Sequence, residues 1–492
     1  MTDITEAPAR PAKTGAAQFV EGIGPLDAIS LVVGTMIGSG IFIVSADIGR
    51  QVNDWGPAAL LLVWLVTGIM TVTGALAYAE LAAMMPTAGG QYVFLREGLS
   101  PLVGFLFGWT LFTVIQTGTI AAVAVAFGRF LSVFFPGVTP DVYLSLGHLP
   151  MPGGTIELGL SHQRVVALLV VAGLTAINLR GVTLGAKVQT TFAIAKLGGI
   201  AALIVLGLTV FRQPAVWAQN TASFWGTAPW TLAVVPILGA AMVGSLFSAD
   251  AWNNVTFAAA EVRNPRKNLP LALFAGTALV CTIYLLANIS YLNLLPFQGD
   301  PNGADAMARG LQHAAQDRVG TAAAEVVLGP IGGYVMAFAI MLSTFGCVNG
   351  LVLAGPRVYY AMAHDGLFFR KAGELHPVYR TPGFGLVTQA VWAMVLCLSG
   401  TYGNLLDYVI FASLLFYFFT TLTLFRLRQT KPDLPRPVKA FGYPVLPGLY
   451  MIATLGLMIV LLFKKPLYTW PGLIIVALGI PVYLRWRRPA GG

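Results

Sequence analysis

The sequence carries little charge for its length. Only 10% of its 492 residues are Asp, Glu, Lys or Arg and 57% are hydrophobic, whereas a soluble protein has about 25% charged residues. A chain with so few charges cannot solvate the surface of a soluble protein of this size. The scarcity excludes a cytosolic enzyme, a disordered chain and a secreted disulfide scaffold. It indicates a polytopic membrane protein whose surface faces lipid.

Cysteine and histidine are also sparse. The three cysteines, Cys281, Cys347 and Cys397, lie inside apolar runs, and no two form a CxxC pair. The five histidines fall in loops or at the ends of apolar runs. We therefore expect no disulfide framework, no metal site and no cofactor. The scattered histidines also argue against an intramembrane enzyme, which needs His or carboxylate groups clustered at one depth.

Long apolar runs fill most of the chain. A helix that crosses a bilayer needs about 20 apolar residues. Twelve candidate spans lie near residues 26–50, 57–83, 101–132, 164–180, 185–211, 231–260, 269–294, 329–362, 383–400, 404–426, 445–463 and 468–486. The sequence thus predicts an all-α membrane protein with twelve transmembrane helices, a helix on the exterior surface over 304–325, and polar tails at 1–24 and 487–492. The first tail is predicted to be disordered, and it lacks the basic start of a signal peptide.

The distribution of basic residues sets the orientation. The net charge is +9, and with the N-terminus inside, most of the 29 lysines and arginines fall in cytoplasmic segments. An even number of spans puts both termini on that side. We expect a multi-pass protein of the plasma (inner) membrane with cytoplasmic termini. The excess of basic residues on the cytoplasmic side accounts for the positive net charge. We therefore expect the lipid bilayer as a partner and do not expect nucleic acid.

Span 1 contains glycines too dense for an ordinary membrane helix. Gly34, Gly38 and Gly40 fall within seven residues, with Ser39 between the last two. Gly34 and Gly38 alone would fit helix packing through small residues, but that pattern does not need the third glycine. Lipid cannot satisfy exposed backbone, so such a segment is tolerated where it lines a cavity. We predict that span 1 is broken here.

Span 6 is polar at the corresponding depth. Asp250 stands in mid-span, with Ser248, Asn253 and Asn254 beside it, although a charge at the bilayer centre costs at least about 2.5–3.5 kcal/mol. These residues compete for backbone hydrogen bonds and favour an interruption; the alternative is a polar helix face packed against other helices.

Two broken spans five apart are typical of a transporter built from an inverted repeat of five plus five helices. This predicts one repeat over 25–211 (spans 1–5), a second over 212–427 (spans 6–10), and spans 11 and 12 over 428–486. Half-helix N-termini suit a carboxylate and half-helix C-termini suit an ammonium. The breaks therefore predict a mid-membrane site for a zwitterion such as an α-amino acid.

At these residues the sequence resembles the amino acid–polyamine–organocation transporters, which share the leucine-transporter-like fold. Within them it is most similar to bacterial relatives of the L-type amino-acid transporters. The resemblance covers nearly the whole chain. The matching stretches are GTMIGSGIF (34–42), MPTAGGQY (85–92), NLRG (178–181), KVQTTFAIAKLGGI (187–200), FSADAWNNVTFAAAEVRNPRKNLPLA (247–272), STFGCVNG (343–350), PRVYYAMAHDG (356–366) and GYPVLP (442–447).

The resemblance implies a role for residues at both breaks. It places the substrate carboxylate on the backbone amides of Gly38, Ser39 and Gly40. It places the ammonium on carbonyls at both breaks, here Thr35 or Met36, Phe247, Ser248 and Asp250. Phe247 would also close over the substrate as an outer gate, and Asn253 would link the substrate to the helix of span 6.

Two positions depart from the family pattern. Relatives usually have an aromatic residue at Ala249 and glycine at Ala251. The first change implies a differently shaped side-chain pocket, and the second makes the break less permissive. They leave the preferred amino acid open.

Lys196 is the one basic residue deep inside a span, too deep to reach the interface easily. The resemblance implies that this lysine of span 5 occupies the place that Na⁺ takes in sodium-coupled members of the fold, with Ser343 of span 8 as the matching hydroxyl. Its expected acceptors are the free carbonyls of the span 1 break and that hydroxyl. The same lysine is a candidate proton carrier.

The sequence thus predicts a sodium-independent transporter of neutral L-amino acids, working by exchange or proton coupling. A proton-coupled transporter of cationic amino acids or polyamines is the main alternative. A channel would need a continuous polar lining, whereas the polar positions lie at one depth. Animal L-type transporters attach to a glycoprotein through a cysteine between spans 3 and 4. Residues 133–163 contain no cysteine, so no disulfide-linked heavy chain is expected.

Overall fold

The computed structural model describes residues 19, 21–151, 154–399 and 402–486. Most of the predicted N-terminal tail and all of residues 487–492 lie outside these ranges. Within them, nine helices are long and apolar enough to cross a membrane. The other three spans are the interrupted spans 1 and 6 and the 15-residue helix of span 9. The prediction of a helical membrane protein with twelve spans is confirmed.

Eight spans are continuous helices. They are Gly56–Met84 (span 2), His162–Leu179 (span 4), Val182–Leu208 (span 5), Pro265–Leu294 (span 7), Gly383–Cys397 (span 9), Tyr402–Thr430 (span 10), Val445–Lys464 (span 11) and Pro466–Trp486 (span 12). Several threonine hydroxyls inside them bond back along their own helix. Thr71, for example, donates to the carbonyl of Thr67 at 2.7 Å, which hides its polar group within an apolar span.

Four spans are interrupted or irregular. Span 1 comprises Pro25–Met36, Gly40–Phe42 and Val44–Gln51, and span 6 comprises Val235–Ser248 and Asn254–Phe257. Span 3 comprises Pro101–Thr110, the π-helical Leu111–Ile115 and Gln116–Leu131. Span 8 comprises Pro330–Ala354 and Pro356–His364. The interruptions of spans 1 and 6 were predicted. The proline at 356 lacks an amide hydrogen and ends the helical bonding of span 8.

The segments between and beside the spans contain further structure. Strands Leu144–Met151 and Gly154–Leu160 form an antiparallel hairpin between spans 3 and 4. Short helical segments cover Asn53–Trp55, Gln91–Gly98, Pro214–Ala222, Leu232–Val234, Ala259–Glu261 and Arg370–Gly373.

The single helix predicted over 304–325 is wrong. The chain forms three short segments there, Ala306–Arg309, Ala315–Asp317 and Val319–Leu328. Gly310, Gln316 and Asp317 have φ angles of 61°, 51° and 58°. These left-handed conformations cannot continue a right-handed helix, so the alanine-rich segment turns instead.

The first half of span 1 lies in the middle of the protein, packed against spans 5, 7 and 8, and the helix of span 6 packs against spans 2, 10 and 11. Both breaks are therefore enclosed by other helices. Residues 35–44 and 245–259 are all buried, which shields their irregular backbone from lipid.

Candidate substrate and coupling site

The two breaks touch each other at Gly40. A β-carbon added to this glycine would lie 2.7 Å from the Ser248 Cβ and 3.0 Å from its Cα. Glycine is therefore required for the two backbones to approach so closely. On the other side, Gly38 faces Cys347 of span 8, whose Sγ would lie 3.2 Å from an added β-carbon. The dense glycines of span 1 allow it to contact both span 6 and span 8.

The break in span 1 leaves several buried hydrogen-bond donors unused. Among the described residues, the backbone amides of Ser39, Gly40 and Ile41 donate no hydrogen bond, and the Ser39 hydroxyl is fully buried without a partner. The Gly38 amide donates to the Met36 carbonyl at 2.9 Å, so the unused amides begin one residue later than predicted. Adjacent unpaired N–H groups at the start of a helical segment attract an anion.

The break in span 6 begins after Ser248 and is held by an unusual backbone conformation. Ala251 has a φ of 65°, which is the left-handed region that L-residues other than Gly, Asn and Asp rarely adopt. Its carbonyl lies 3.0 Å from the Thr35 hydroxyl, whose one proton is shared between this acceptor and the Leu31 carbonyl at 2.8 Å. Phe247 lies in the last turn before the break and is buried, as are Ser248 and Ala249. The two breaks are thus joined by a side-chain hydrogen bond as well as by close packing.

A tyrosine of span 7 joins the carbonyls of both breaks. The Tyr284 hydroxyl lies 3.0 Å from the Met36 carbonyl and 2.9 Å from the Ser248 carbonyl. One hydroxyl proton can serve only one of the two acceptors at a time. Both carbonyls belong to the set predicted to hold an ammonium, so Tyr284 is a candidate site residue that the sequence analysis missed. Another missed contact is the Cys347 thiol, which lies 3.0 Å from the Thr35 carbonyl.

Asp250 is bound to span 10. Its buried carboxylate accepts hydrogen bonds from the hydroxyls of Tyr417 and, at 3.4 Å, Ser413. It lies between two small cavities. The first, with about 10 Å³ of free space, is bounded by the π-helical segment of span 3, the span 6 break and span 10. The second, with about 20 Å³ of free space, is bounded by spans 2, 6, 10 and 11.

Asn253 connects the span 6 break to the short helix Gln91–Gly98. Its amide donates to the Gln91 side chain at 2.7 Å, and Gln91 in turn donates to the Thr420 hydroxyl of span 10 at 3.0 Å. Both amides are buried and line the first of the two cavities. The chain of amides joins the span 6 break, the short helix and span 10 beside this cavity.

Lys196 ties span 5 to spans 1 and 8. Its Nζ lies 2.8 Å from the Gly34 carbonyl, 2.6 Å from the Ile37 carbonyl and 3.3 Å from the Ser343 carbonyl. The predicted acceptor on span 8, the Ser343 hydroxyl, is wrong. That hydroxyl is itself a donor to span 1, 3.2 Å from the Ile37 carbonyl and 3.1 Å from the Gly38 carbonyl. A buried ammonium and a hydroxyl thus occupy the carbonyls freed by the break.

The end of the break in span 6 is covered by the N-terminal segment. The amides of Gly22 and Ile23 donate to the Glu261 carbonyl at 3.0 and 2.9 Å. The Glu261 carboxylate forms a buried ion pair with Arg357 of span 8 at 2.8 Å. The last residues of the predicted disordered tail are therefore ordered, because they hydrogen-bond to the segment that follows the break.

No group of three or more His, Cys, Asp or Glu residues that could hold a metal ion occurs among the described residues. The hydrogen-bonding groups at the breaks are backbone amides, carbonyls and hydroxyls, which bind a polar organic molecule rather than a transition metal.

Comparison with known proteins agrees with this geometry. Residues 23–483 match the amino acid permease family. The chain belongs to this family. Because the family and the similar proteins are transporters, the enzyme alternative is excluded.

Two curated mammalian transporters illustrate the similarity. The permease is 30% identical over 472 residues to the large neutral amino acids transporter small subunit 2 of Mus musculus, covering 95% of this chain and 81% of that protein. It is 29% identical over 450 residues to the b(0,+)-type amino acid transporter 1 of the same species, covering 91% of this chain and 84% of that protein. This permease is therefore an amino-acid transporter of the membrane.

Proposed function

We propose that this permease is a sodium-independent secondary transporter of neutral L-amino acids. The observation that carries the proposal is the pair of facing breaks, with unused amides at Ser39, Gly40 and Ile41 and carbonyls at Met36 and Ser248. A substrate carboxylate would accept from the amides and from the Ser39 hydroxyl. Its ammonium would replace the Tyr284 hydroxyl at the two carbonyls, since a charged donor forms the stronger hydrogen bonds.

Further carbonyls and side chains complete the proposed site. Thr35, Phe247 and Asp250 would supply the remaining backbone oxygens for the ammonium, and Phe247 would act as the outer gate. Ala249 borders the second cavity, whose free space of about 20 Å³ would have to widen to admit an apolar substrate side chain. Asn253 would sense the substrate through its hydrogen bond to Gln91.

Sodium independence rests on Lys196. Its ammonium contacts two carbonyls of span 1 and one of span 8, which are the ligands that a bound Na⁺ would need. Ser343 supports the same carbonyls through its hydroxyl. Because a fixed cation already fills the position, the cycle would run by exchange or be coupled to protons rather than sodium.

The cationic alternative rests on Asp250. Its carboxylate lines both cavities, and one relative bears a b(0,+)-type name. Against this, the carboxylate is engaged by Tyr417 and Ser413. A distal substrate charge would have to displace both hydroxyls, so we favour the neutral substrate.

The proposal extends to topology and partners. We place both termini in the cytoplasm of the plasma (inner) membrane, with repeats over 25–211 and 212–427. The chain would work alone, since residues 133–163 offer no cysteine for a disulfide-linked heavy chain.

The test is uptake of a panel of radiolabelled amino acids into proteoliposomes that contain only this chain, with and without internal substrate. We expect alanine, serine, threonine or leucine to be preferred over lysine and arginine.

Ser39→Ala should raise the KM. The control Ser45→Ala should not, because that hydroxyl bonds Asn288 at 2.7 Å outside the proposed site. Preference for arginine or lysine that disappears in Asp250→Asn would establish the alternative. A requirement for a second subunit would refute the single-chain proposal.

A further inference from the structure

An open groove lies on the outer face of spans 2 and 7. It has a volume of about 710 Å³ and is lined almost entirely by apolar side chains. Ile69 and Phe274 on its walls are 59% and 47% exposed. Its two lining threonines, Thr73 and Thr282, turn their hydroxyls to carbonyls of their own helices at 2.8 Å. The walls therefore offer an apolar surface whose polar groups are already satisfied.

One end of this groove is closed by the segment before span 11. Phe441, which is 72% exposed, and Leu446 both line it. The groove residues of span 7 follow a helical stripe through Phe274, Ala278 and Cys281. Lys267 lies seven residues before Phe274 and thus on the same face of the helix, near its start.

Two basic residues lie close in sequence to the lining residues at this end of the groove. Lys267 is exposed at the start of span 7, and Lys439 is exposed two residues before Phe441. Lysine side chains near the ends of membrane helices extend their ammonium groups to the interface. The groove thus combines an apolar channel along two helices with positive charge at one mouth. That combination matches an anionic phospholipid, whose acyl chain is apolar and whose phosphate is negative.

We infer that this groove binds an anionic phospholipid, with an acyl chain along spans 2 and 7 and the phosphate near Lys267 and Lys439. A zwitterionic phospholipid has the same chains but a weaker net attraction to the two ammonium groups. The groove between spans 2, 6 and 11, of about 440 Å³, provides an internal comparison, because it has apolar walls on another side of span 2.

The side chain of Trp64 lies between the groove and Tyr284 of the proposed substrate site. Trp64 lines it, and the Trp64 ring packs edge-on against Tyr284 with centroids 5.4 Å apart. Tyr284 in turn contacts the carbonyls of both breaks. Lipid in the groove would restrict Trp64 and thereby Tyr284. This consequence rests on the proposed function, whereas binding itself does not.

Binding is tested by native mass spectrometry of the delipidated full chain titrated with phosphatidylglycerol or phosphatidylcholine. We expect phosphatidylglycerol to bind more tightly, with at least about tenfold loss of affinity in Lys267→Ala/Lys439→Ala. Ala278→Trp, which fills the groove, should remove the tight site. Ala453→Trp fills the comparison groove instead and should leave it unchanged. Equal binding of the two lipids, or tight binding retained in Ala278→Trp, would overturn the inference.

A second readout separates this inference from the proposed function. Thermal stability in detergent should rise with phosphatidylglycerol in the native protein and in Ala453→Trp but not in Ala278→Trp, whether or not amino acids are transported. Stabilisation of Ala278→Trp to the native extent would contradict the site. In proteoliposomes, phosphatidylglycerol should change the transport rate of Ala453→Trp but not of Ala278→Trp. Lipid binding without that difference would refute the coupling through Trp64.

Discussion

Removing the Lys196 ammonium should disable transport without preventing insertion. The ammonium makes contacts of 2.8 and 2.6 Å with the Gly34 and Ile37 carbonyls of span 1. Hydrogen bonds to charged groups contribute about 1.5–3 kcal/mol each, so about 3–6 kcal/mol of support for span 1 depends on this side chain. Even if water or Ser343 recovers most of it, a remaining deficit of about 1.4 kcal/mol corresponds to about a tenfold effect.

We therefore expect Lys196→Ala to reach the membrane in normal amounts and to transport at least about tenfold more slowly. Lys464→Ala removes an exposed lysine and is the matched control for loss of positive charge. The assay is initial uptake into proteoliposomes normalised to inserted protein. Normal kinetics in Lys196→Ala would show that span 1 does not depend on the lysine.

The same reasoning predicts the response to sodium. Replacement of external Na⁺ by choline at constant pH should leave native uptake unchanged, because the ammonium already occupies the carbonyls. Stimulation of native uptake by sodium would refute the assignment directly. Sodium dependence that arises only in Lys196→Ala would support it, since the vacated carbonyls would then be available to the ion.

Substitutions at three further positions, Phe247, Ala251 and Glu261, follow from the structure. Phe247→Ala should cut the transport rate strongly while Phe247→Trp keeps part of it, and unchanged uptake in the alanine variant would remove Phe247 from the mechanism. Ala251→Gly should raise the melting temperature in detergent, because the φ of 65° costs an L-residue about 1–2 kcal/mol. Ala251→Val should lower the melting temperature. A higher melting temperature for the valine variant than for the glycine variant would show that the conformation is unstrained. Glu261→Gln should lower the melting temperature, because it leaves the buried Arg357 charge unpaired at a cost of about 3–5 kcal/mol. The double variant Glu261→Met/Arg357→Met removes both charges and should recover much of that loss. An equal loss of melting temperature in both variants would contradict the role of the ion pair.

The breaks could be predicted because they depend on residues that membrane helices avoid. Gly38, Gly40 and Asp250 each raise the free energy of an apolar membrane helix. Their occurrence at the same depth of two spans therefore indicates broken helices that line a cavity. Lys196 was conspicuous for the same reason. The choice between carbonyl and hydroxyl of Ser343 depended on side-chain geometry that a sequence does not contain.

Other site residues gave no such signal. Tyr284 and Tyr417 stand among apolar residues, where a tyrosine is as compatible with core packing as with a binding site. Their hydroxyls belong to the candidate site only because the fold places them against the carbonyls of Met36 and Ser248 and the carboxylate of Asp250. The hairpin Leu144–Leu160 was missed because its glycines and prolines resemble an irregular loop, and the alternation in TIEL is too short to decide the matter.

The contacts of span 1 have a consequence for synthesis in the cell. Its first half is a helix of only 12 residues, and its supports are distant in sequence: Lys196 by 162 residues, Ala251 by 216 and Ser343 by 306. While the chain is being made, the first segment to enter the membrane is thus the one that cannot yet complete its hydrogen bonds. Until span 8 has been inserted, its open backbone must be sheltered by the translocation machinery or by water. Truncation before residue 343 should consequently leave the start of the chain, rather than the new end, exposed to quality-control proteases.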